Sequence, residues 1–294
     1  MFTLKRPDGD RPEDYHLSRR GALGGVFFAG YAAAALSADA DPIHTDEAGL
    51  KTEIVQLASG IPAYVARPAA KGRYPAVLVI SEIFGLHEYI RDICRRFAKL
   101  GYVAIAPAFF VRVGDPAPLP ISRIADIMKI VAAAPDPQVM GDILSAVSFL
   151  KARPYVDAKR MAVTGFCWGG RWTWLACEDI PDIKAGAAWY GQLAPAPGAP
   201  ADPDKLYPIN LASHLSAPVL GLYGGQDPLS KAVPAMRAEL AKDGKSGSEI
   251  IVYPDAGHGF HADYRSSYNQ ADAEDGWKRL LAHFKANGVG PGKA

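Results

Sequence analysis

Met161-Ala162-Val163-Thr164-Gly165-Phe166-Cys167-Trp168-Gly169-Gly170-Arg171 is the stretch on which the fold turns. Its first half is apolar and β-branched, which predicts a buried strand; the glycines near its end introduce a helix read over residues 172–178. Gly165, Cys167 and Gly169 stand two residues apart. That spacing suits a sharp strand-to-helix turn with cysteine at the apex. The apex residue is held in a strained conformation, so its neighbours two residues away must lack a Cβ. The turn would also set the sulfur above the N-terminus of the helix, where partial positive charge favours thiolate over thiol.

Outward from this stretch, strands and helices alternate. Residues 52–57 and 61–66 alternate in polarity around Ser59-Gly60 and predict an antiparallel hairpin. Ala76-Val77-Leu78-Val79-Ile80 is a continuous apolar run, as expected of a strand covered on both faces. A helix over 87–100, closed by Gly101, leads to a strand over 102–107. A Pro- and Gly-rich loop (114–120), a weak helix (121–134) and a stronger one (139–152) precede the central stretch. Strands over 185–190, 218–223 and 249–253 follow, with helices over 233–242 and 271–287. The proline-rich segment 194–203 cannot join a ladder or a helix interior and reads as a surface excursion, a candidate lid. The pattern predicts an α/β domain over residues 43–290: a doubly wound, mostly parallel sheet flanked by helices and preceded by a hairpin.

The N-terminal 40 residues read differently. Ser18-Arg19-Arg20 precedes an uncharged, Ala- and Gly-rich run from Gly21 to Ala38, and Ala38-Asp39-Ala40 offers a small-residue cleavage site. Residues 1–40 are therefore expected to be a twin-arginine-type export signal, engaging that machinery and directing the protein to the periplasm. The bland alternative is a cytoplasmic protein with an amphipathic N-terminal helix. The run is too short for a stable membrane span.

Composition narrows the function. A chain of 294 residues with 49% hydrophobic and 21% charged content is an ordinary globular protein, and its net charge of +1 carries no basic stripe for nucleic acid. Cys94, Cys167 and Cys177 lack metal-ligand spacing, and an odd count leaves at least one thiol unbridged. His214, His261 and His283 are scattered and read as surface or loop histidines, not metal ligands. No metal or cofactor is expected. Cys94 and Cys177 fall on helices and read as inert core thiols.

In such a sheet, functional groups collect at the carboxyl ends of the strands. Four residues stand at predicted strand ends: Glu82, Cys167, Asp227 (in Gly224-Gly225-Gln226-Asp227-Pro228) and His258 (in Ala256-Gly257-His258-Gly259-Phe260). An ordinary cysteine is only a few per cent thiolate at neutral pH and needs a base close by. His258 would take the proton, and Asp227 would fix its tautomer and stabilise the imidazolium. Singly, each has a plain explanation: buried filler, a turn-forming Asp before Pro, a tight Gly-His-Gly loop. Nucleophile, acid and histidine in that chain order make the joint reading the stronger one.

Residues 54–284 resemble the dienelactone hydrolase family, the carboxymethylenebutenolidases, whose fold is that of the α/β-hydrolases. The likeness is carried by Ser81-Glu82-Ile83-Phe84-Gly85, Gly165-Phe166-Cys167-Trp168-Gly169-Gly170, Gly224-Gly225-Gln226-Asp227 and Ala256-Gly257-His258-Gly259-Phe260. The resemblance implies a Cys167–Asp227–His258 triad that hydrolyses an enol lactone, such as a dienelactone to maleylacetate, through an acyl-thioester. It implies that Glu82 contacts the resting thiol and helps deprotonate it. The backbone N–H groups of Ile83 and Trp168 would form the oxyanion hole.

The chain departs from the family at substrate recognition. The position four residues after the histidine, an arginine in the family, is Ala262. Arg265, three residues later, is the candidate substitute. Arg112, Arg123 and Arg171 are further candidates for the substrate carboxylate, while Trp172 and Trp174 read as packing of the turn helix. The expected partner is a small lactone or ester, with the chain acting as monomer or dimer. The alternatives are a broader carboxylesterase with a repurposed pocket, an inactive ligand-binding relative, or a thiol-redox protein, for which Cys177 is poorly placed.

Overall fold

The computed structural model describes residues 42–195, 202, 204–243 and 247–291. The proposed export signal and most of the proline-rich segment 194–203 lie outside the described residues. Among the described residues, no helix is long and apolar enough to cross a membrane.

One eight-stranded sheet organises the chain, in the order β1-β2-β4-β3-β5-β6-β7-β8. β1 (Leu50–Gln56) and β2 (Pro62–Pro68) form the expected antiparallel hairpin, with Ile54 opposite Tyr64 and a left-handed Gly60 (φ 86°) in the turn. β2 pairs antiparallel with β4 (Val103–Pro107), and every later pairing is parallel: β3 (Tyr74–Ile80), β5 (Val156–Phe166), β6 (Ile183–Trp189), β7 (Val219–Gly224) and β8 (Glu249–Tyr253). The parallel strands inside the sheet, such as β3, β4 and β7, are buried almost throughout, which explains their unbroken apolar runs.

The helices are α1 (Glu88–Lys99), α2 (Ile124–Ala132), α3 (Asp136–Lys151), α4 (Trp168–Asp179), α5 (Val233–Asp243) and α6 (Gln270–Ala286). α1 and α6 share one face of the sheet, where Phe97 meets Trp277 and Phe284. β6 shows the two-faced burial: Gly186 lies under Cys177 and Thr173 of α4, while Trp189, three residues on, lies under Gly276 of α6. α3 starts at Asp136, three residues before the expected Val139, because Pro137 fits a first turn that needs no intrahelical N–H. α4 likewise begins at Trp168, so Gly169 and Gly170 lie within the helix and do not merely precede it.

The strand order sets the site. From β3 the chain crosses to β4 on one side and returns to β5 on the other, so the carboxyl ends of β3 and β5 flank the switch point of the sheet. Crevices open at such points in doubly wound sheets. Cys167 stands there with φ 56° and ψ −113°. The tightness of the turn follows from its glycines. A Cβ on Gly165 would lie 2.2 Å from the Gly169 carbonyl oxygen, and one on Gly169 would lie 2.3 Å from the Ile80 carbonyl oxygen. Neither backbone atom can retreat. Gly165→Ala is therefore expected to lower stability by about 3 kcal/mol, at the upper end for overpacking. Gly141→Ala, on an exposed turn of α3 with nothing within 4 Å of the new methyl, should raise it by about 0.5–1 kcal/mol. Thermal melts of the two variants beside the parent check both signs.

Candidate active site

Cys167 is buried at the apex of the turn, its N–H donating to the Trp189 carbonyl at 2.9 Å. Asp227 follows β7 and His258 follows β8, both buried. His258 Nδ1 lies 2.7 Å from Asp227 Oδ2, while Asp227 Oδ1 accepts the Leu229 N–H at 3.0 Å. A carboxylate at Nδ1 places the proton there and turns Nε2 toward the sulfur, with which His258 shares a side-chain hydrogen bond. Burial pushes the imidazole pKa down. Asp227, with a smaller contribution from the neighbouring Cys167 sulfur, outweighs it and raises the pKa to about 10, so imidazolium is the favoured form of the ring. Three residues separated by up to 91 positions in sequence are thus brought together at the ends of β5, β7 and β8.

Glu82, at the end of β3, is fully buried. Tyr264 donates its hydroxyl to Oε2 at 2.6 Å, His87 Nε2 lies 3.8 Å from the same oxygen, and Arg265 Nη2 lies 3.5 Å from Oε1. Burial opposes ionisation, yet Arg265, His87 and Tyr264 together hold the carboxyl at about 2. Arg265 is itself buried, donates Nε to the Tyr264 hydroxyl at 3.2 Å and stacks its guanidinium 4.6 Å from the Phe84 ring centre. The arginine displaced by three residues from the expected position therefore reaches the glutamate, because a turn after Ala262 carries it back: the Arg265 N–H donates to the Ala262 carbonyl at 3.0 Å.

The other three arginines are not brought to this cluster. Arg112 is tied to Asp142 of α3 and to the Ser59 carbonyl in the hairpin turn. Arg123 is exposed and paired with Asp126 of α2. Arg171 is buried, bound to Asp136 and to the Leu206 carbonyl, where it pins the chain after the proline-rich segment to the start of α3. Ile83 is buried after β3, and Trp168, as the first residue of α4, has one of the N–H groups a helix start leaves unsatisfied. Trp172 and Trp174 pack the turn helix as expected; Trp174 donates to the Tyr223 hydroxyl at 3.2 Å.

One reading needs correction. His261 is not a surface or loop histidine but a buried one, its Nδ1 2.6 Å from the Tyr89 hydroxyl and its ring among Phe166, Trp189 and Trp277. A tyrosine partner satisfies one nitrogen, and the aromatic cage removes the ring from water, which lowers its pKa well below the usual value. His283 is half-buried on α6 beside the Pro218 carbonyl. Cys94 and Cys177 are buried, and burial pushes both thiols up, out of reactive range. Among the described residues, no three His, Cys, Asp or Glu side chains are grouped as a metal site requires.

Sequence reasoning missed Tyr264, His87 and Tyr190. Tyr190 follows β6 with φ 40°, the other non-glycine residue beside Cys167 with positive φ among the described residues, and its ring centre lies 5.1 Å from that of His258. Strain of this kind collects at functional sites. Tyr264 sits beside Arg265 and was legible as a neighbour. Nothing in the local sequence marks Tyr190.

A mostly parallel eight-stranded sheet with cysteine, aspartate and histidine in that order at its carboxyl edge defines an α/β-hydrolase. The sequence profile of the dienelactone hydrolase family matches residues 61–288, and the chain belongs to that family. A protein of Methylorubrum extorquens named "Putative carboxymethylenebutenolidase" is 44% identical over 289 residues, 93% of this chain and 94% of its own length. A protein of Escherichia coli K12 with the same name is 48% identical over 244 residues, 81% of this chain and 86% of its own. The crystal structure of a "Putative Dienelactone Hydrolase" from Klebsiella pneumoniae superposes with a TM-score of 0.74 at 44% identity, over 80% of this chain and 98% of that one. The protein is an ester or lactone hydrolase.

The Glu82–Arg265 pair yields a stability test. The depressed carboxyl contributes stability that is fully present above its usual value of 4.5 and lost as pH falls through about 2. Glu82→Gln should therefore flatten the fall of melting temperature between pH 5 and pH 2.5. Arg265→Met strands a buried carboxylate and should cost about 3–5 kcal/mol at pH 7. The double variant should recover part of that loss, since the stranded charge is gone.

Proposed function

We propose that the protein opens enol lactones, or cleaves small carboxylated esters, by covalent catalysis at Cys167. The observation that carries this reading is the 2.7 Å His258–Asp227 pair aimed at a cysteine on a strained strand-to-helix turn. The Cys167 thiolate adds to the acyl carbon, and the developing oxyanion is met by the N–H groups of Ile83 and Trp168. The acyl carbon–oxygen bond breaks, the leaving enolate takes the proton held by His258, and the enol tautomerises to a ketone. A water that gives a proton to His258 then cleaves the thioester, returning the thiol and a carboxylic acid.

Glu82 and Arg265 form the charged wall of this site. The resemblance assigns the glutamate to the thiol and gives it an arginine partner; the ion pair of Glu82 with Arg265 supports Arg265 as the arginine that pairs with the glutamate in place of Ala262. A broader carboxylesterase is the second reading, favoured by the buried Ala262 at a position where the family carries arginine.

Cys167→Ala and the parent, assayed with p-nitrophenyl acetate and a dienelactone, separate these readings. The parent is expected to turn over the lactone, and the variant to lose about 10⁴-fold in kcat/KM, as when a nucleophile is removed from a triad. Acid-quenched parent should carry one acyl group on the peptide containing Cys167. Ester turnover without lactone turnover favours the esterase, and turnover that survives in Cys167→Ala defeats the thiol mechanism.

We also propose that residues 1–40 export the folded protein to the periplasm, on the strength of Arg19-Arg20 and the small residues at 38–40. Replacing both arginines with lysine should move the protein from the periplasmic to the cytoplasmic fraction.

A further inference from the structure

Most cations near the carboxyl edge of the sheet already have an acid: Arg265 has Glu82, Arg171 has Asp136, Arg112 has Asp142. Lys205 does not. Among the described residues, no carboxylate lies within ion-pair distance of its ammonium, which donates to Gln192 Oε1 at 2.9 Å and stands 5.8 Å from the centre of the Tyr207 ring. An ammonium carries three donors. One is used by a neutral acceptor, in a setting half removed from water.

The position is built. Gln192 is buried, and its amide nitrogen donates to the Ala194 carbonyl at 3.0 Å, which turns its oxygen toward Lys205. The residue before it, Gly191, presses on the turn helix: a Cβ there would lie 2.3 Å from the Gly170 carbonyl carbon. Trp189, two residues earlier, accepts the Cys167 N–H. Lys205 is thus anchored to the flank of the nucleophile turn through the end of β6. The chain on its other side is fixed as well. Leu206 donates its N–H to Asp136 at 2.9 Å and accepts from Arg171 at 2.8 Å, and Ile209 donates to the Leu193 carbonyl at 3.0 Å. Gln192 also walls a mostly apolar cavity of about 200 Å³, together with Leu193, Ile209, Pro228, Leu229 and Lys231. Pro228 directly follows Asp227.

We propose that Lys205, positioned by Gln192, is a substrate-binding residue that receives a carboxylate of the acyl substrate, with the adjoining cavity taking apolar carbons next to it. The proposal rests on the reading of Cys167 as nucleophile. A half-dehydrated cation with one neutral partner gains most from an anion that arrives with the substrate. The charged groups acting on Lys205 fit this use. Burial and repulsion from Arg171 lower its pKa to about 8, while Asp136, Asp202 and the Cys167 sulfur oppose the fall.

The test compares two substrates that share a scissile bond: the p-nitrophenyl monoester of adipic acid and the same compound with its free acid capped as a methyl ester. The readout is the ratio of kcat/KM for the acid to that for the capped form, in the parent, Lys205→Met and Lys205→Arg. The ratio should fall at least tenfold in Lys205→Met, through KM for the acid, and stay within threefold of the parent in Lys205→Arg. A ratio within twofold of the parent in Lys205→Met overturns the proposal. Should Lys205→Met not fold, the parent decides: its ratio should decline as pH rises through about 8, and a flat ratio from pH 7 to 9.5 overturns the proposal. Cys167→Ala, run alongside, tells the two failures apart, because turnover surviving there defeats the nucleophile reading whatever the ratios show.

Discussion

Everything at the carboxyl edge depends on one backbone conformation, the left-handed turn at Cys167. A side chain at φ 56° carries a steric cost that surrounding packing must hold in place. Here three glycines supply the fit: Gly165 against Gly169, Gly169 against the end of β3, and Gly170 against the end of β6. The turn is therefore clamped between the two strands that neighbour β5. The same contacts that permit the strain fix the sulfur relative to Glu82 on one side and Tyr190 on the other.

Around that turn the fold buries charge, and it does so in matched sets. Glu82 is enclosed with Arg265, Tyr264 and His87; Asp227 with His258; Asp136 with Arg171. A buried ion is costly unless it is paired and hydrogen-bonded, so each set locks several elements to one another. Arg265 links the loop after β8 to the loop after β3, and Arg171 links α4 to α3 and to the chain beyond the proline-rich segment. Lys205 stands outside these sets, its ammonium donating to the neutral Gln192 side chain.

The strand order was written in local patterns only in part. The continuous apolar run at 76–80 marked a doubly covered strand, the apolar and β-branched stretch at 161–166 a buried one, and alternation at 52–66 the hairpin, because burial on two faces or one leaves a direct trace in polarity. The insertion of β4 between β2 and β3 left none. Pairing partners are chosen by crossover direction and by the faces the helices cover, neither of which is a property of a single segment. Helix starts were misjudged for a related reason: Pro137 and Gly169 look like breakers in isolation and are accommodated once the first turn has somewhere to sit.

By itself the sequence determined the alternation of strands and helices, the turn at 165–169, and the order of cysteine, aspartate and histidine. Each of these is carried by short-range spacing, since a strained turn demands glycines at fixed offsets and strand ends expose whatever follows them. Only the tertiary structure decided which charges meet. It carried Arg265 back to Glu82, took Arg112, Arg123 and Arg171 to other carboxylates, sealed His261 in an aromatic cage, and set Tyr190 against His258. Ion pairs and ring contacts form between loops far apart in the chain, and their partners are fixed by the sheet that brings those loops together.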